Sequence, residues 1–137
     1  MQAFALGALL HAQVAQDKRG EADQTWNALA QLHPQDLDAQ AIVRIEEARY
    51  RALVGAFDVA LARAGEAMDS CKQRGRKNCE LQARLLRDQI RSKSGQIDGL
   101  DTELKALAAD ASQLGFNLIA EQAGKLRVSL SGDRAHQ

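Results

Sequence analysis

The sequence predicts an all-α chain of three antiparallel helix pairs and a closing seventh helix. Three observations carry this. The composition is rich in Ala, Leu, Gln, Arg and Glu, with one proline and only 4% aromatics, a mixture that favours helix and disfavours strands. Apolar residues recur at i, i+4 and i+7, which is one face of a helix. Gly55, Gly75, Gly95 and Gly115, with Pro34, punctuate the stretches between. Proline breaks helices, and glycine closes their C-termini in the left-handed conformation. A 137-residue chain with 45% hydrophobic and 26% charged residues is long enough and apolar enough for one domain around a continuous core.

Each helix is then readable in order. Residues 2–16 carry Ala3, Leu6, Leu10 and Val14, and "DKRGEADQTWNALAQL" follows with Ala22, Trp26 and Leu29. The third helix, about 36–53, shows Ala41, Ile45, Ala48 and Ala52. "GAFDVALARAGEAM" makes the fourth, with Ala60, Ala64 and Ala67. The fifth, about 78–93, has Cys79, Ala83, Leu86 and Ile90. "GQIDGLDTELKALA" supplies Leu100, Leu104 and Leu107 for the sixth. The seventh carries Phe116, Ile119, Ala123, Leu126 and Leu130, and residues 131–137 read as a flexible tail. Ala22, Ala60 and Leu100 take equivalent places at spacings of 38 and 40 residues. Small residues recurring at one face imply that a neighbouring helix lies close against it.

The repeat resembles the tetratricopeptide repeat family in a divergent, long-repeat form, like the repeats of large bacterial regulators. Ala22, Trp26 and Pro34 stand at the family's A-x3-F-x7-P spacing. The second repeat matches through Gly55, Phe57, Ala60, Ala64 and Ala67, and the third through Gly95, Ile97, Leu100, Leu104 and Leu107. The period exceeds the family's 34 residues, and the first-helix signature of Trp, Leu-Gly and Tyr is missing from repeats two and three. The resemblance implies a right-handed helical-hairpin solenoid, with repeats at about 1–34, 36–75 and 77–115 and a cap helix at 116–130. It also implies that the first helix of each pair lines a concave groove for a peptide or a partner helix. A protein-interaction scaffold or regulatory module follows, the C-terminal part of a larger signalling or transcription-regulatory protein.

Catalytic and cofactor motifs are missing. His11, His33 and His136 are scattered, "AEQAGKL" around Lys125 lacks the first glycine and the hydroxyl of a phosphate loop, and there is no GxSxG. Glu46 and Glu47 are adjacent, so on a helix their side chains diverge. The reading is a non-enzyme with no cofactor and no metal. Zero formal net charge gives no overall pull toward nucleic acid or anionic membrane, and no apolar run is long enough for a membrane span. The opening "MQAFALGALLHAQVAQ" lacks the basic start of a signal peptide. An amphipathic first helix is the better reading, and a chain opening inside a helix suggests a piece of something longer.

Two features stand out. Cys71 and Cys79 each lie four residues from Gly75. They face each other across that turn either as a disulfide, which needs an oxidising compartment, or as two buried thiols. The thiols would mean a cytoplasmic protein and the bridge an extracytoplasmic or periplasmic one. The segment 72–93 holds eight basic residues against Glu80 and Asp88. Within it Arg84, Arg87 and Arg91 form a stripe. Through the family resemblance this stripe would meet an acidic peptide, with Leu81 and Leu85 as exposed apolar anchors. The alternative is a solvated face pairing with acids of neighbouring repeats. A self-associating module is the second functional reading, as a homodimer through the apolar first helix (Phe4, Leu6, Leu9, Leu10, Val14). An anion or nucleic-acid binder using 72–93 is the third, disfavoured by the scarcity of aromatic stacking residues.

Overall fold

The computed structural model describes residues 2–135, with side-chain surroundings through residue 132. Seven helices follow in order: α1 (Gln2–Ala15), α2 (Arg19–Ala30), α3 (Leu37–Leu53), α4 (Phe57–Gln73), α5 (Lys77–Lys93), α6 (Leu100–Gln113) and α7 (Asn117–Ala135). The last helix runs beyond the boundary read from the sequence. Residues 131–135 of the expected tail are helical, because nothing in "SGDRA" forbids another turn once α7 is nucleated. Residues 136 and 137, with His136, lie outside the described residues.

One turn geometry separates most of the helices. After α4, the Gly75 amide donates to the Lys72 carbonyl and the Arg76 amide to the Cys71 carbonyl, the paired bonds of a Schellman motif. They require Gly75 at φ +70°, a conformation that costs an ordinary residue about 1 kcal/mol. The same bonds recur after α3, α5 and α6 at Gly55, Gly95 and Gly115, so a glycine falls every 20 residues. The turns after α3, α4 and α6 leave only three residues between helices. The stretch between α5 and α6 is twice as long, with Gly99 in the left-handed region just before α6. Around Pro34 the chain instead enters α3 through Asp36, whose carboxylate accepts the Ala39 amide at 3.2 Å, an ordinary N-cap.

Packing follows one rule. Each helix rests on the next, and α1, α3, α5 and α7 also touch in succession. The even-numbered helices touch only the odd-numbered ones on either side of them. The centre is a seam of small residues: Ala60, Ala64 and Ala67 of α4 pack on Ala48 and Ile45 of α3 and on Ala83, Leu86 and Ile90 of α5. Methyl side chains let these three helices approach closely, and a larger residue there would overpack the seam at about 1–3 kcal/mol. Flanking it, Trp26, Leu29, Leu10 and Tyr50 form one end of the core, and Leu100, Leu104, Leu107, Ile119 and Leu130 the other.

Candidate functional site: the face of the odd-numbered helices

Because α1, α3, α5 and α7 lie in a row, their outward faces make one continuous surface, and two hollows open on it. The first, about 570 Å³, is bounded by Ile42 and Ile45 of α3, by Arg76 to Cys79 at the start of α5, and by Phe116 just before α7. The second, about 480 Å³, takes His11 from α1, Glu46 and Arg49 from α3, Gln82, Leu85 and Gln89 from α5, and Leu118, Ile119 and Gln122 from α7. Gln82 lines both. No even-numbered helix contributes to the second hollow.

The polar end of the second hollow is organised around Glu46. Its side chain is buried by the close α1–α3 crossing, where a Cβ on Gly7 would stand 3.1 Å from Ile42 Cγ2 and 3.6 Å from Glu46 Cγ. Arg49 Nη1 donates to Glu46 Oε1 at 2.5 Å and to His11 Nδ1 at 2.7 Å. Burial raises the Glu46 pKa above the ordinary glutamate range, while Arg49 and then His11 beside the carboxylate oppose that rise. Carboxamides line the rest: Gln82, Gln89 and Gln122, with Asn78 accepting from Gln82 at 3.1 Å. Such groups offer uncharged donors and acceptors together. Leu118, 66% exposed, stands at the rim.

Most of the residues singled out from the sequence fall elsewhere. Arg84 pairs with Asp110 at 2.9 Å, Arg87 with Glu103, and Arg91 with Glu103 at 2.5 Å. Arg91 also donates to the Asp98 carbonyl at 2.7 Å. The arginine stripe thus spends its charge in the α5–α6 seam, because α6 packs on that side of α5 and presents acids to it. Leu81 and Leu85 are 2% and 6% exposed. They pack on α6 and α7, so the exposure expected of anchors is absent, although Leu85 still forms part of a hollow's lining. Cys71 and Cys79 meet as a disulfide across the Gly75 turn, with Cα atoms 5.8 Å apart. Cys71 is in the core and Cys79 borders the first hollow.

Two residues escaped the sequence reading. Glu46 was set aside because its neighbour Glu47 diverges from it. Its place at i+4 from Ile42, on the stripe facing α1, was the available signal. Asp88 was counted only as an acid in a basic run, though it lies at i+7 from Leu81 and thus on a buried face. Among the described residues no helix is long and apolar enough to cross a membrane. Comparison of the chain with family models, curated proteins and solved structures gives no match.

Proposed function

We propose that this chain is a protein-interaction module, a tetratricopeptide-like helical-hairpin solenoid that takes a segment of a partner polypeptide along the face of α1, α3, α5 and α7. The observation that carries the reading is the second hollow, to which all four odd-numbered helices and no even-numbered one contribute. The alternating contact pattern supports the solenoid. Apolar walls (Ile42, Ile45, Phe116, Leu118) beside carboxamides suit a peptide, whose side chains need apolar cover and whose backbone needs uncharged hydrogen-bond partners. With Arg84, Arg87 and Arg91 engaged by α6, strong acidity is not what the partner must bring. The Cys71–Cys79 bridge favours an extracytoplasmic setting, where disulfides persist.

Selection of displayed random peptides on the intact protein, followed by calorimetry on the enriched ones, tests this. Leu118→Asp should weaken them by about tenfold or more, the loss of one good anchor. Val128→Asp, an equally exposed change on the same helix outside the hollows, should leave affinity intact. Peptides that bind both variants equally would remove the odd-helix face from consideration.

Self-association is a second reading, and Phe4 and Leu9, both exposed on α1, favour it. Sedimentation over a range of concentrations would reveal a dimer, and Leu9→Glu should dissolve it. A monomer at every concentration would end that reading.

A further inference from the structure

The inference concerns the joint between α5 and α6. Leu81, Leu85 and Asp88 follow at i, i+4 and i+7, so a carboxyl ends the apolar stripe that α5 turns toward α6 and α7. Asp88 is 0% exposed, and neither of its side-chain oxygens receives a hydrogen bond from a donor. The nearest cation, Arg87 Nε, stands 3.9 Å from Oδ1, outside hydrogen-bond range. Arg87 and Arg91 are instead spent on Glu103 of α6. Glu103 neighbours Asp88 across this joint and acts on it as a like charge.

A fully buried carboxyl cannot ionise beside a second, partly exposed one without a large penalty, so one of the two keeps a proton. Glu103 is held by two guanidiniums, whereas Asp88 lies away from water and from any donor, so the proton belongs on Asp88. We propose that this single proton between Asp88 and Glu103 fastens α6 to α5, and that its loss loosens the α6–α7 end of the fold.

The surroundings isolate the pair. Against α5, the helices α3 and α4 bring Ile45, Ala48, Ala60, Ala64 and Ala67, and α7 brings Ile119, Ala123 and Leu130 to the neighbouring core. The charged groups acting on Asp88 are therefore Glu103 of α6 and Arg87 and Arg91 of its own helix. Burial first, then Glu103, pushes the Asp88 pKa up to about 7, with the two arginines pulling it back. The joint also has one of the two longest connections between helices, residues 94–99, so α6 and α7 can part from α5 without unwinding a helix.

Hydrogen exchange of the wild type and Asp88→Asn, run side by side so that the intrinsic pH dependence cancels, tests the proposal. An Asp that returns to an ordinary pKa on opening predicts that wild-type protection of α6 and α7 amides, relative to the variant, falls about tenfold between about pH 6 and about pH 8.5. Amides of α3 and α4 should hold level. Identical profiles in the two proteins, or a loss shared equally by α3 and α4, would overturn it. Should Asp88→Asn not fold, a carbon-13 carboxyl titration of the wild type decides. A midpoint near neutrality at Asp88 is the expected result, and one at the ordinary aspartate value of about 4 overturns the proposal.

Discussion

Asp17 stands after α1 where Gly55 stands after α3. Its amide donates to the Val14 carbonyl, and the Lys18 amide to the Gln13 carbonyl, as Gly55 and Ala56 do to Ala52 and Arg51. Asp17 does so at φ +57°, in a region open to aspartate only at some cost. Asp17→Gly should therefore stabilise the protein, by up to about 1 kcal/mol after the extra chain entropy of glycine is deducted. A urea midpoint that stays put or falls would mean that the Asp17 side chain contributes something its backbone geometry does not reveal.

The ionisable groups set the sign of the pH dependence. Asp88 and Glu46 both have raised pKa values in the fold, chiefly through burial. Each binds its proton more tightly folded than unfolded, so each favours the folded state at low pH and ceases to as pH rises. For Asp88 that loss runs from the ordinary aspartate value up to about 7. Asp38 acts oppositely, because the Arg74 hydrogen bond lowers its pKa. Its contribution is present at neutral pH and lost in acid, but it is solvent-exposed and small. Stability from urea unfolding should thus decline from about pH 5 to about pH 8, and Asp88→Asn should flatten the decline. A wild-type curve that climbs over this interval would contradict the assignment.

How far the sequence foretold this structure depends on what each residue type constrains. Helices were legible because Gly55, Gly75, Gly95 and Gly115 and the stripes between them are local signals, written within one turn of the chain. The facing of Cys71 and Cys79 was legible for the same reason, since they flank one turn, whereas the choice between bridge and thiols stayed open. For Arg84, Arg87 and Arg91 two readings stayed open, an acidic partner or the acids of neighbouring repeats, because a charged stripe looks alike in either setting. Asp110 and Glu103, 26 and 16 residues away from Arg84 and Arg87, decide that question only in three dimensions. Leu81 and Leu85 were misjudged because α5 has neighbours on both sides, so a second apolar face meant a second contact rather than an open surface.

The disulfide gives a prediction with a spatial readout. Cys71 and Cys79 are eight residues apart, and closing so short a loop stabilises by about 2–3 kcal/mol through the unfolded chain. Cys79→Ser, which spares the fully buried Cys71 a polar replacement, should lower the urea midpoint by that order. Helix content should be unchanged, since Gly75 and its two amide bonds still make the turn. Reducing agent should reproduce the loss in the wild type and do nothing further to the variant. A wild type indifferent to reductant would argue that the helix packing alone holds this turn.

At the other end of the core, Trp26 and Tyr50 stack with ring centres 6.0 Å apart, and the Arg51 guanidinium lies 5.6 Å from the tryptophan ring and 5.8 Å from the tyrosine. The tyrosine hydroxyl donates to Asp23 of α2, tying α3 to α2 through a charge-assisted bond. Tyr50→Phe keeps the ring and removes the donor. It should cost about 1–2 kcal/mol, within the range for hydrogen bonds to charged groups. Trp26 is the only tryptophan, so its fluorescence reports this contact directly. The native emission maximum should stay where it is, because the stack survives, while the urea midpoint falls. A shifted maximum would instead mean that the hydroxyl, rather than ring packing, sets the orientation of the pair and that α2 has moved.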